Sequence, residues 1–128
     1  MAYYFSRVLN DSFDNVVRRT GEALKHEGFG IITEIDVTET LRKKIGVSFR
    51  NYRILGACNP AYAQQALGIE DKVGTMLPCN VIVQEAGDGK VEVAAIDPVA
   101  SMAAIDNPQL KSLAGQVGEQ LRKVVASL

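Results

Sequence analysis

With 128 residues, 47% hydrophobic and 23% charged, the chain suits one soluble domain that buries roughly two-thirds of its unfolded surface. A formal net charge of -1 argues against a nucleic-acid binder, and no apolar run approaches the length of a membrane span. There is no charged-then-apolar leader at the N-terminus, and the two cysteines, 21 positions apart, fit a reducing cytoplasm rather than a disulfide framework or a C-x-x-C motif.

Ala2 to Leu9 alternates weakly, with Tyr3, Phe5 and Arg7 against Tyr4, Ser6 and Val8, and reads as a strand. Asn10-Asp11-Ser12 offers caps to an amphipathic helix over about 12–27, whose stripe is Phe13, Val16, Val17, Thr20 and Leu24. Gly28 is placed to end it in a left-handed conformation. Phe29 to Val37 predicts a half-buried strand, with Phe29, Ile31, Thr33, Ile35 and Val37 on one face. Asp36 or Thr38 can cap a short helix over 39–45 that points Leu41 and Ile45 inward and stops at Gly46. Arg42-Lys43-Lys44 on that helix reads as a solvated face.

Arg50 to Ala57 is the next strand, and Gly56 within it predicts a bulge or a close approach by another group. Three Asx-Pro pairs, Asn59-Pro60, Asp97-Pro98 and Asn107-Pro108, place helix starts at 60, 98 and 108. The first of these helices should end near Leu67, before Gly68, and 69–78 is an unassigned connector. Strands over 80–85 and 90–96 flank Ala86-Gly87-Asp88-Gly89, a hairpin signal. Leu110, Leu113, Ala114, Val117, Leu121, Val124 and Val125 form one stripe on a C-terminal helix. The order predicts a single α+β domain over 1–128: a mainly antiparallel sheet with helices packed on one face.

Cys-Asn occurs twice, as Cys58-Asn59 closing one strand and Cys79-Asn80 opening another. If those strands are antiparallel neighbours, Cys58 and Cys79 face each other across one rung. Two thiolates there can hold copper(I), or zinc with further ligands from His26, Glu34, Asp36 or Asp97. A thiol before the helix at Asn59-Pro60 can instead act as a nucleophile in a thiol-dependent enzyme. The third reading is a structural or partner-binding domain with two inert, buried thiols. His26 stands alone, so a Cys-His pair has little support. Asn59, Asn80 and Asp97 read first as caps or strand starts, and second as polar groups at the mouth of a pocket.

Gly28-Phe29-Gly30, Glu34-Ile35-Asp36-Val37, Tyr52-Arg53-Ile54-Leu55-Gly56-Ala57-Cys58-Asn59-Pro60, Leu77-Pro78-Cys79-Asn80-Val81 and Ala95-Ile96-Asp97-Pro98 resemble the domain of unknown function 302 family over about residues 5–105. The resemblance implies a compact α+β fold of the TATA-binding-protein-like or helix-grip type, in small bacterial or archaeal proteins that tend to be dimers. It implies no established activity. The leading expectation is a cytoplasmic homodimeric binding module. Its pocket would lie near Cys58, Asn59, Cys79, Asn80 and Asp97 and take a small molecule or a soft metal ion, with no nucleic acid or membrane as partner.

Overall fold

A computed structural model describes residues 2–128; of the expected domain over 1–128, only Met1 lies outside the described residues. The elements are β1 (Tyr4–Leu9), α1 (Phe13–His26), β2 (Gly30–Asp36), α2 (Val37–Ile45), β3 (Tyr52–Cys58), α3 (Pro60–Ile69), a 3-10 segment (Asp71–Met76), β4 (Cys79–Gly87), β5 (Lys90–Ile96), α4 (Pro98–Ser101) and α5 (Pro108–Ala126). The strands form one open sheet, β1-β5-β4-β3-β2, antiparallel at every step. Helices α1 and α5 pack on the same face of it.

Strand alternation decides which residues meet those helices. Leu55, Val81, Val83, Val93 and Ala95 are fully buried and share the helix face through the pairs Leu55–Val81, Val83–Val93 and Val81–Ala95. Val16 and Leu24 of α1 and Leu121 and Val124 of α5 close the core above them. Leu110, Leu113 and Ala114, earlier on α5, belong to a second cluster with Ala66 of α3, Val73 of the 3-10 segment and Met102. The α5 stripe therefore serves two cores in succession.

The local signals act as the residue chemistry demands. Ser12, Asp36, Asn59, Asp97 and Asn107 each accept a backbone N–H at the start of a helix. Gly28 and Gly46 adopt positive φ just past α1 and α2. The hairpin turns on Asp88 and Gly89, both at positive φ, the conformation a two-residue turn of matching twist needs.

Three expectations need correction. Strand β2 is exposed along its whole length rather than half buried. It lies at the sheet edge, and a register shift between Ile31 and Thr33 breaks its alternation. Ile31 therefore pairs with Ala57 on the helix face, while Thr33 pairs with the adjacent Gly56. Helix α2 starts at Val37, and Ile45 is 67% exposed because α2 packs mainly on the edge strand β2 and its neighbour β3 and buries no residue fully. Thr38 does not cap α2; its hydroxyl donates to the Arg50 carbonyl and accepts the Tyr52 N–H. Finally, α3 passes through Gly68 to Ile69, and the unassigned connector forms the 3-10 segment.

Candidate functional site

Strands β3 and β4 are antiparallel neighbours, so the end of one lies beside the start of the other. The rung itself is Ala57–Cys79, and Cys58 stands one residue beyond it. The expected face-to-face cysteine pair is thus offset by one residue. In a regular strand that offset sends the two side chains toward opposite faces. Cys58, the last residue of β3 and paired with Gly30 of β2, nevertheless borders the same cavity as Cys79.

That cavity has a volume of about 350 Å³, within the range of small-molecule sites. Ala57, Cys58 and Cys79 form its sheet wall. Tyr62, Ala63 and Ala66 of α3 form a second wall, and Leu110, Leu113 and Val117 of α5 form a third. Leu77 and Pro78, joined by a cis peptide bond, complete the rim beside Gly74. The cavity lies where the two apolar clusters meet and fail to close.

The polar groups at this cavity are few. Asn59 Oδ1 accepts from the Tyr62 N–H at 3.4 Å, as the cap reading requires. The Asn59 amide nitrogen has no hydrogen-bond partner among the described residues and lies beside Gly28. The Tyr62 hydroxyl accepts from Gln120 Nε2 at 3.4 Å. The Gln120 Oε1 atom is buried without a partner.

Burial pushes the Cys79 thiol from its ordinary 9.0 up to about 11, and the neighbouring Cys58 adds to the shift by disfavouring a second thiolate. Near neutral pH Cys79 is therefore a protonated, poorly nucleophilic thiol. The unfolded chain loses this proton near pH 9 and the folded chain only near pH 11, so the thiol's contribution is complete below pH 9 and is lost as pH rises toward 11. Urea melts of wild type and Cys79→Ala across that range should converge as the pH climbs. A constant gap between them would remove the buried-thiol assignment.

The structure does not bring the remaining candidates to the cavity. Asn80 is exposed and pairs with Gly56, on the sheet face away from the helices. Asp97 is occupied as the cap of α4, accepting from Val99 N–H at 3.0 Å. His26 is exposed at the end of α1. Glu34 accepts from Arg53 at 2.8 Å, and Asp36 caps α2. Among the described residues no group of three or more His, Cys, Asp or Glu side chains could hold a metal ion. Zinc's usual four ligands are thus not assembled, and a copper(I) reading rests on Cys58 and Cys79 alone, against the raised thiol pKa.

Sequence reasoning did not place Phe29, Tyr62, Met102 and the first turns of α5 at the site. The α5 stripe carried a partial signal, because seven apolar positions are more than one face of a small sheet needs.

A family model described as a domain of unknown function, DUF302, matches residues 5–128, and so takes in α5 as well as the Cys-Asn blocks. A crystal structure described as an uncharacterized conserved DUF302 protein from Bacillus stearothermophilus is similar to this chain, with a TM-score of 0.91 and 28% identity over 98% of each chain. Among curated proteins there is no match. With the family model spanning almost the whole sequence and a DUF302 structure sharing its fold, the chain belongs to the DUF302 family.

Proposed function

We propose that the protein is a small-molecule binding module and that its ligand occupies the cavity between the β3–β4 end, α3 and α5. The observation that carries this reading is the cavity itself. A volume of about 350 Å³, walled by three elements and bordered by both cysteines, is an unusual thing for a chain of this size to leave unfilled. Cys58 and Cys79 then serve as polarisable wall groups, and Asn59 offers a free amide donor. A thiol-dependent enzyme would need a base beside Cys58 or Cys79, and the chain's single histidine stands exposed at the end of α1.

The test uses prodan, an uncharged naphthalene ketone whose emission shifts to the blue in apolar surroundings. Titration of the full chain should give saturable one-to-one binding, and bound prodan should slow labelling of Cys58 by a chromogenic disulfide reagent. Ala63 is half buried at the wall, so Ala63→Phe should fill the cavity and weaken prodan at least about tenfold while the chain stays folded. Binding unchanged in Ala63→Phe, or no saturable binding at all, defeats the proposal.

The paired variants of Asn59 separate cap from ligand contact. Asn59→Ala should cost about 0.5–1 kcal/mol, the lower part of the range for a cap, since the bond to Tyr62 is long at 3.4 Å. Asn59→Asp should keep that stability, because Asp caps equally well, yet weaken prodan by removing the donor and placing a charge at the rim. Thermal melts and prodan titrations of both read the two effects apart.

In the same reading the protein is a cytoplasmic homodimer with neither nucleic acid nor membrane as partner. Support for the dimer comes from β1, an open sheet edge with Tyr3 63% and Tyr4 40% exposed. Phe5, the third aromatic there, packs against the core and is unavailable. No helix among the described residues is long and apolar enough to cross a membrane. Light scattering at micromolar concentration should give twice the chain mass, and a monomer would contradict the dimer.

A further inference from the structure

The lining of the cavity carries a statement about ligand chemistry, which rests on the binding-module reading above. Every residue at its wall is uncharged. Among the described residues the polar side-chain groups there are the Asn59 amide, the Tyr62 hydroxyl and two thiols, and Cys79 is held protonated. The charged residues on the bounding elements turn away. Asp71 and Lys72 of the 3-10 segment pair with each other at the surface, their side chains about four-fifths exposed. Lys111 at the start of α5 reaches toward Asp106 in solvent, and Glu119 pairs with Arg122 on the outer side of α5. Asp97, nearest along the chain to the lining residue Pro98, is committed to the α4 cap.

An ionised ligand head group needs a counter-charge or several donors once it leaves water. This wall offers no counter-charge, and its side-chain donors are the Asn59 amide and the Tyr62 hydroxyl, besides two weakly donating thiols. The hydrocarbon parts of Leu110, Leu113, Leu77 and Val117 instead match an apolar body. Asn59 Nδ2 and the Tyr62 O–H, neither of which has an acceptor among the described residues, match a neutral acceptor such as a hydroxyl, aldehyde or ester oxygen.

We infer that the cavity is a site for an uncharged, mainly hydrocarbon molecule with at most one neutral polar group, and that it discriminates against the carboxylate or ammonium of the same carbon skeleton. Anions and cations are both refused, because the wall lacks charge of either sign.

Displacement of prodan from the full chain by octanol, octanoate and octylammonium, at pH 7 and below micelle-forming concentrations, tests this. Octanol should displace the dye at a concentration at least about tenfold lower than either ion, a gap that reflects the uncompensated transfer of a charge. Lowering the pH toward the carboxylate's own pKa should bring octanoate closer to octanol, as the neutral acid forms. Octanoate or octylammonium competing as well as octanol at pH 7 would overturn the inference while leaving the binding-module reading intact. Failure of prodan itself to bind would remove both. Asn59→Ala should narrow the advantage of octanol over the unsubstituted hydrocarbon octane, and an unchanged ratio would take the polar group out of the ligand description.

Discussion

Replacing Gly56 by alanine should destabilise the fold by about 3 kcal/mol, at the upper end of what overpacking costs. A Cβ on Gly56 would lie 2.0 Å from Thr33 Oγ1 and 2.8 Å from Pro78 Cγ. The hydroxyl can rotate aside, but the proline ring cannot. Thr33→Ala alone should be nearly neutral, since Thr33 is exposed on the edge strand. Combined with Gly56→Ala it should recover part of the loss, leaving the Pro78 share. Such non-additivity is expected of residues in direct contact. Urea melts with a shared slope provide the three midpoints. Because Ala57 and Pro78 both border the cavity, Gly56→Ala should also weaken prodan. Gly56→Ala as stable as wild type would mean that β2, β3 and the Pro78 turn do not meet as described.

Leu121→Ala should cost about 2–5 kcal/mol, the range for deleting a fully buried leucine whose neighbours cannot collapse. Leu121 is 0% exposed and sits among Val83, Val93 and Leu24 in the main core. Leu113, two turns earlier on the same stripe, gives the contrast. It already faces the unfilled cavity, so Leu113→Ala should cost less than Leu121→Ala and should enlarge the site. The pair therefore separates the half of α5 that closes the core from the half that walls the cavity. Equal costs at the two positions, with no change in prodan affinity for Leu113→Ala, would merge the two clusters into one ordinary core.

Much of the architecture was legible because its signals are local. Three Asx-Pro pairs set three helix starts, since a side-chain cap and a fixed proline φ act within one turn. Asp88-Gly89 set the hairpin for the same reason. Gly56 announced a close approach without naming Thr33 and Pro78, which come from other parts of the chain. The failures are long-range. Nothing local in Phe29 to Val37 says that this strand lies at an edge, or that a shift after Ile31 turns Thr33 away from the helices. The one-residue offset between Cys58 and Cys79 is a matter of register, which the Ala57–Cys79 rung settles and which no motif encodes.

The candidate site was half legible. Cys58, Asn59 and Cys79 do border one cavity, whereas Asn80 and Asp97 do not. Repetition of Cys-Asn drew equal weight to both asparagines, yet Asn80 is a strand residue whose side chain points off the uncovered face of the sheet. The apolar walls were invisible as a site because leucine on a helix stripe reads the same whether it meets a neighbour or a ligand.

A binding module of this kind requires the cavity to be a stable, ligand-accessible space in the folded chain. A crystal of this 128-residue chain pressurised with xenon tests it most directly, since apolar cavities that exclude ordered water take up this gas. Xenon density is expected between Cys79, Tyr62 and Leu113, and its loss is expected in Ala63→Phe. Side chains of α3 and α5 packed directly against Cys79, with no xenon between them, would contradict it.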